Sequence, residues 1–225
     1  MSDDRTGTDT DTDDPLFPEE RHVLEADCAR CPDLVACRER ISWGTGDRDA
    51  AVMAVGEAPG AGAPEAETWR GGNWTGRAYT TRHSGRRIRE LLADAGHPDA
   101  YVTNAVKCFP CDGDGSNREP TAEERANCRA HLERELDVVA PDVVVTTGKH
   151  ATTSVLALDG RELDGFVDSV LTPIALESED ATLLPILHPS YQDVWRARLG
   201  YDDGEYRGAV LERVREAGDA ARTEW

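Results

Sequence analysis

Val52-Met53-Ala54-Val55-Gly56-Glu57 joins an apolar run to a carboxylate, and this segment constrains the architecture of the chain most strongly. The same pattern occurs twice more, in Tyr101-Val102-Thr103-Asn104 and in Leu184-Pro185-Ile186-Leu187-His188. Short runs of this composition, separated by helical stretches, are typical of buried parallel strands. Open α/β sheets bind ligands at the carboxyl ends of such strands. We therefore expect the three polar residues that end these runs to meet in one crevice.

The whole chain follows an alternating strand and helix pattern. We predict strands at Ala50–Val55, Tyr101–Val106, Asp142–Thr147 and Thr182–Leu187. Apolar spacing and breaker residues predict helices over 18–41, 84–95, 121–140, 150–158 and 209–222. Gly56–Tyr79 is predicted to be a long loop, and Arg161–Glu179 is left open as an excursion or a hairpin.

Length and composition predict one domain preceded by a polar tail. The 225 residues suffice for a single sizeable core. Residues 1–18 form a tail rich in Asp and Thr that we expect to be disordered, and 19–225 form the domain. The start lacks the basic and apolar regions of a signal peptide, and no apolar run is long enough to span a bilayer. We expect a cytoplasmic monomer with no membrane partner.

The charge of the chain is strongly acidic. The net charge is −19, and Lys107 and Lys149 are the only lysines among 25 basic residues. This composition is typical of halophilic proteins, because salt at 1 M screens charge repulsion beyond about 3 Å. An acidic protein from an ordinary cell is the alternative. In either case, any contact with nucleic acid must be local rather than a consequence of global charge.

Six cysteines in a chain expected to be intracellular favour metal ligands over disulfides. Cys28 and Cys31 form one C-x-x-C pair, Cys108 and Cys111 form another, and Cys37 and Cys128 stand alone. Zinc and an iron-sulfur cluster are both compatible with thiolate ligands. Buried free thiols and a thioredoxin-like redox motif are the remaining alternatives.

Five sequence strings, taken in order, resemble the iron-sulfur (type 4) uracil-DNA glycosylases. They are Gly56-Glu57-Ala58-Pro59-Gly60, Thr75-Gly76-Arg77-Ala78-Tyr79, Val102-Thr103-Asn104-Ala105-Val106-Lys107-Cys108, Asn117-Arg118-Glu119-Pro120-Thr121 and His188-Pro189-Ser190. The resemblance covers roughly Cys28 to Tyr191. It implies a three-layer α/β/α sandwich around a four-stranded parallel sheet, and removal of uracil from DNA that leaves an abasic site intact.

The same resemblance implies a 4Fe-4S cluster held by Cys28, Cys31, Cys108 and Cys128. Cys37 and Cys111 have no counterpart in that ligand pattern. Cys111 follows Cys108 closely enough to replace it as a ligand, and this alternative stays open.

The resemblance also assigns the base-binding residues. Asn104 matches the O4 and N3–H edge of uracil, because a carboxamide offers a donor and an acceptor together, and Tyr79 supplies a face for stacking. His188 is expected to donate a hydrogen bond to the uracil O2, where negative charge develops as the bond breaks. In isolation, Asn104 would be an ordinary turn residue and His188 an ordinary core residue.

Two further groups of residues complete the expected site. The backbone of Glu57-Ala58-Pro59 is expected to line the pocket, and the Glu57 carboxylate to position water or stabilise a sugar cation. Ser190 and Tyr191 are expected to enter the minor groove of DNA. A patch of four arginines is expected to bind the phosphates: Arg82, Arg86, Arg87 and Arg89. A solvated helix face is the alternative for these arginines. The alternative for the whole chain is a non-catalytic, metal-bound module that binds DNA or a protein.

Overall fold

The structure is a computed structural model that describes residues 14–221, and its centre is one five-stranded sheet. The strands are β1 (Val52–Gly56), β2 (Tyr101–Asn104), β3 (Val143–Thr147), β4 (Ile174–Leu176) and β5 (Ala181–Ile186). Their order is β2-β1-β3-β5-β4, with β4 antiparallel to β5 and the other four strands parallel. The four predicted parallel strands are confirmed. The sheet has one strand more than predicted. The additional strand is β4 at the edge, which forms a hairpin with β5.

Helices connect the strands and cover the sheet. Those within the described residues are α1 (Pro32–Cys37), α2 (Gly72–Thr75), α3 (Ser84–Asp94), α4 (Ala122–Val139), α5 (Lys149–Leu158), α6 (Phe166–Ser169), α7 (Gln192–Trp195) and α8 (Asp203–Ala221). The expected start of α4 is confirmed, since Thr121 forms a capping box with Glu124. None of the described helices has the combination of length and apolarity needed to cross a membrane.

The two faces of the sheet bury separate cores. Alternate residues of β1 point to opposite faces, so that Val52 and Ala54 pack with α3 and α8. Met53 and Val55 pack on the other face with α4 and α5. The expected three-layer α/β/α sandwich is thereby confirmed.

Two local predictions were wrong. The expected helix over 18–41 is reduced to α1, and the backbone before α1 runs through turns that bring Cys28 and Cys31 toward the sheet. The strand β2 was predicted to reach Val106 but ends at Asn104. After it, the N–H groups of Ala105 and Val106 donate hydrogen bonds to the carbonyls of Gly56 and Glu57.

The expected tail falls mainly outside the described residues, which begin at Asp14. Asp14–Pro18 were included in that tail, yet they pack on the domain. The Phe17 ring meets the edge of Trp69 with 5.2 Å between ring centroids, and Asp14 accepts a hydrogen bond from the indole of Trp69 at 3.1 Å. These five residues therefore belong with the folded part of the chain.

Candidate active site

A small cavity of about 40 Å³ lies at the carboxyl ends of the parallel strands. Glu57 follows β1, Asn104 ends β2, Thr147 ends β3 and His188 follows β5, and all four line this cavity. An adjoining cavity of about 900 Å³ shares Glu57 and His188 with it. The structure thus brings the three polar residues expected to converge into one place.

Asn104 is held at the edge of the sheet with its carboxamide directed over β1. It is 6% exposed, and its Cα pairs with that of Gly56. A Cβ on Gly56 would lie 2.4 Å from the Asn104 Oδ1, so glycine at this position makes room for the amide. No hydrogen bond joins this carboxamide to another of the residues between 14 and 221. Its donor and its acceptor are therefore available to a ligand.

Tyr79 closes the cavity beside Asn104. Its hydroxyl shares a 2.7 Å hydrogen bond with the Thr147 hydroxyl, rather than pointing to water as a surface tyrosine would. Burial raises the pKa of the Tyr79 phenol, which therefore stays protonated. The backbone has φ of 52°, an unfavourable value for a non-glycine residue, and Arg89 supports it by donating to the Tyr79 carbonyl at 3.0 Å.

His188 faces the same cavity in a defined tautomer. The Ser190 N–H donates to its Nδ1 at 3.2 Å, so the hydrogen of a neutral ring resides on Nε2. Burial lowers the His188 pKa below its ordinary 6.5, which keeps the imidazole neutral at neutral pH. Gly148, with φ of 91°, lets the turn after β3 approach the ring, since a Cβ there would lie 3.1 Å from the His188 Cβ.

Glu57 is the carboxylate nearest to these groups along the cavity wall. Burial raises the Glu57 pKa, and the nearby charge of His150 opposes that shift. The turn that follows is fixed by Asn117, whose Oδ1 accepts from the Ala61 N–H at 2.9 Å. The geometry thus combines a carboxylate, a neutral imidazole donor and an unpaired carboxamide around a space sized for a small planar group.

The cysteines separate into a bonded pair and a group of four. Cys37 and Cys111 form a disulfide, so the preference for ligands over disulfides was wrong for these two cysteines, and Cys111 is not free to replace Cys108. The four unpaired thiols belong to one cluster, with Cys28 and Cys31 packed against Cys108 and Cys128. No local pattern indicates a bond between Cys37 and Cys111, which lie 74 residues apart.

Three of the four unpaired sulfurs accept hydrogen bonds. The Arg38 guanidinium donates to the Cys108 sulfur at 3.1 Å, and the Lys107 backbone N–H donates to the Cys128 sulfur at 3.3 Å. The Asn127 side-chain amide donates to the Cys31 sulfur at 3.5 Å. Such donors stabilise thiolates, so this donor set fits a thiolate-ligated metal centre. Ligand atoms of Glu25 and His131 also lie within 4.8 Å of the Cys28 sulfur and of each other.

The expected DNA-contacting residues share one surface groove of about 550 Å³. Its walls include Arg82, Arg86, Arg87 and Ser190, and Tyr191 stands beside it with 65% of its surface exposed. Arg86 is already paired with Glu90 at 3.2 Å and with Asp14 at 3.4 Å. Arg87 donates to the Pro189 carbonyl at 3.3 Å, which ties helix α3 to the His188 loop.

Arg89 does not belong to this basic surface. It is half-buried with its guanidinium bonded inward, and desolvation lowers its pKa to about 10. Besides the Tyr79 carbonyl, it donates to the Thr45 hydroxyl at 2.6 Å and to the Ala78 carbonyl at 2.9 Å. Its role is to hold the base-pocket loop, so its assignment to the arginine patch was wrong.

Residues 61–74, within the predicted long loop, are anchored by their tryptophans. The Trp74 indole donates to the Ala61 carbonyl at 2.7 Å, and Trp69 is 2% exposed under Phe17. Only the two ends of the loop reach the cavities, through Ala61, Gly62 and Gly72. The loop therefore frames the pocket and carries the N-terminal segment.

Fold and site together define an α/β domain with a small polar cavity at the carboxyl ends of its parallel strands and a cluster that contains four unpaired cysteines. A profile of the uracil DNA glycosylase superfamily matches residues 43–214, and this chain belongs to that superfamily. A type-4 uracil-DNA glycosylase of Thermotoga maritima is 32% identical over 196 residues, which cover 84% of this chain and 87% of the relative. A type-5 uracil-DNA glycosylase of Pyrobaculum aerophilum is 34% identical over 169 residues, 62% and 69% of the two chains. A type-4 uracil-DNA glycosylase of Archaeoglobus fulgidus is 34% identical over 133 residues, which cover 58% of this chain and 59% of the relative.

Proposed function

We propose that this chain removes uracil from DNA by hydrolysing the N-glycosidic bond, releasing the free base and leaving an abasic site. One observation carries the proposal: Asn104 and His188 line a single small cavity, although they lie 84 positions apart in the sequence. Membership in the uracil DNA glycosylase superfamily and the similarity to type-4 enzymes support the same activity.

Base recognition in this proposal rests on Asn104 and Tyr79. The uracil nucleotide turns out of the stack to reach the cavity. The Asn104 carboxamide donates to O4 and accepts from N3–H, a pairing that cytosine cannot satisfy because it carries an amino group at C4 and an unprotonated N3. The Tyr79 ring, fixed by its bond to Thr147, offers a face for the base. The backbone of Ala58 and Pro59 closes the cavity on the other side.

His188 and Glu57 act on the bond that breaks. As the bond from C1′ to N1 opens, its electron pair moves into the uracil ring, and the Nε2–H of His188 donates to the developing charge at O2. A preorganised donor of this type accelerates a reaction by about 10²–10³-fold. The Glu57 carboxylate faces the sugar cation and accepts a proton from the water that adds to C1′. Ala58 next to Glu57 adds no second carboxylate, so leaving-group stabilisation by His188 carries more of the catalysis.

The four unpaired thiols would hold a 4Fe-4S cluster. When bound, the cluster supplies a rigid tie between the segment of Cys28 and Cys31 and the elements that carry Cys108 and Cys128, and it takes no part in hydrolysis. Zinc is the other metal that such a donor set accepts.

DNA binding is proposed for Arg86, Arg87, Ser190 and Tyr191, which surround the entrance to the pocket. Tyr191 is the wedge, since its exposed ring lies 5.6 Å from the His188 ring, centroid to centroid. Lys149 lines the larger cavity, a position that the sequence did not indicate. A monofunctional enzyme, a monomeric state and a cytoplasmic location stay predictions.

The test is incubation of the purified protein with a duplex carrying one uracil, followed by alkali, over a range of salt concentrations. We expect cleavage at the uracil after alkali and none without it. Asn104→Ala and His188→Ala should each slow cleavage by about 10²–10³-fold while leaving a measurable single-turnover rate, whereas Arg207→Ala on the distant helix α8 should retain the full rate. Wild-type protein that binds the duplex but never cleaves would instead support a non-catalytic DNA-binding module.

A further inference from the structure

Lys107 is fully buried next to the base-binding strand, and the mechanism above does not use it. Its side chain is 1% exposed, and its ammonium donates three hydrogen bonds. The acceptors are the Asn104 carbonyl at 2.6 Å, the Thr103 hydroxyl at 2.8 Å and the Glu135 Oε2 at 2.5 Å. All three donors of the ammonium are satisfied, two of them by residues of β2.

Glu135 completes a polar network inside the core between β2 and α4. Its carboxylate accepts from the Tyr101 hydroxyl at 3.1 Å and from the Thr103 hydroxyl at 2.8 Å, besides pairing with Lys107. Glu135 is 1% exposed, so both charges of this pair are withdrawn from water. Desolvation of a buried ion pair costs several kcal/mol, and apolar residues often stabilise a core as well or better. Core stability alone is therefore a weak reason for this pair.

The position of the ammonium indicates a different purpose. Asn104 is the last residue of β2, and the chain turns away from the strand directly after it. The Lys107 ammonium binds the Asn104 carbonyl at this turn and thus fixes the peptide that carries the base-reading side chain. The backbone N–H of the same lysine donates to the Cys128 sulfur, which anchors Lys107 to the four-thiol centre.

We infer that Lys107, balanced by Glu135, is a positioning residue that fixes Asn104 against the edge of the pyrimidine and links it to the metal centre. The inference rests on the proposed function. Positional errors of about 1 Å at a reacting group cost on the order of 10²-fold in rate. The expected signature is a loss of excision rate that depends on the Asn104 amide.

A double-mutant cycle tests this coupling. Lys107→Met and Glu135→Gln are introduced together, so that no unpaired charge is left in the core, in both the wild-type and the Asn104→Ala background. Single-turnover excision of uracil is measured for all four proteins, with iron content and thermal midpoint as checks on the metal centre and the fold. We expect a loss of about 10–100-fold in the wild-type background and no further loss in the Asn104→Ala background.

Tyr101→Phe is the matched control, because it removes a hydrogen bond to Glu135 without touching Lys107 or Asn104. Its rate should equal that of the wild type. Should the double variant fail to fold, Thr103→Val interrupts the same network, and its smaller loss should also vanish when Asn104 is absent. An unchanged rate, or an equal loss in both backgrounds, overturns the inference. An inactive wild-type protein would instead refute the proposed function.

Discussion

Replacing Gly56 by alanine would place one methyl group between the two residues that form the base pocket. The added Cβ would lie 2.4 Å from the Asn104 Oδ1 and 2.9 Å from the Tyr79 hydroxyl. Ordinary van der Waals contact begins at 3.4 Å, so the carboxamide oxygen must retreat by about 1 Å. The φ of Gly56 lies outside the left-handed region, so the backbone itself accepts alanine without strain.

A displacement of this size should lower the rate of uracil excision by about 10²-fold, because the carboxamide no longer meets both groups on the edge of the base. Overpacking costs about 1–3 kcal/mol of folding free energy. At about 2–4 °C per kcal/mol for a chain of this size, the thermal midpoint should fall by about 2–12 °C. Single-turnover assays well below that midpoint therefore report on the pocket rather than on unfolding.

Gly60→Ala is the matched control in the same turn. The nearest atom to its added Cβ would be the Asn117 Nδ2 at 3.5 Å, which is an ordinary contact. Gly60 lines the same cavity, yet the added methyl group makes only this ordinary contact, so we expect the excision rate to stay within about twofold of the wild type, a change of about 0.5 kcal/mol or less. A Gly56→Ala protein as fast as Gly60→Ala would refute the placement of the Asn104 amide.

Four further outcomes are expected. Because burial lowers the His188 pKa, the excision rate should stay level from neutral pH down to 6.5, the ordinary pKa of an imidazole. Below that pH the rate should fall as the ring is protonated. A loss of rate centred above pH 6.5 that disappears in His188→Asn would contradict this. Tyr191→Ala should slow excision from duplex DNA much more than from single strands, in which no base stack has to be opened. Arg87→Ala should reduce the salt dependence of DNA binding by about one phosphate contact, measured as the slope of log K against log salt, whereas Arg207→Ala should not. Cys128→Ser should lower the iron bound per chain and the thermal midpoint together, and a variant with full iron content would remove Cys128 from the ligand set.

The sequence predicted the central sheet well, because β1, β3 and β5 are long apolar runs with clear boundaries. It left the stretch that contains β4 open as an excursion or a hairpin, and the structure has the hairpin; three residues of mixed burial carry too little periodicity to distinguish a strand from a loop. The helix expected over 18–41 failed for a different reason: the placement of Cys28 and Cys31 depends on contacts with Cys108 and Cys128, which are distant in sequence. The membership in the glycosylase superfamily inferred from five short strings is confirmed.

Within the site, the sequence located the ends of the strands but not the residues that support them. Thr147 and Lys107 hold Tyr79 and Asn104 through contacts between elements, and no local pattern predicts such contacts. Arg89 could have been placed correctly, because it lies four residues after Gly85 and three before Leu92, on the buried face of α3. The roles of Glu57, Asn104 and His188 stay predictions until the variants are assayed.

The disulfide joins the stretch around α1 to the stretch just after β2, and a metal held by the four unpaired cysteines would join the same two stretches and, through Cys128, helix α4. A bridge that closes a loop of 74 residues by itself restricts the unfolded chain by about 4 kcal/mol. Once the metal joins the neighbouring cysteines, the disulfide closes a far shorter circuit and its contribution falls to about 2–3 kcal/mol. Reduction of the bridge should therefore destabilise both forms, and the metal-loaded protein by about 1–2 kcal/mol less than the protein that has lost its metal.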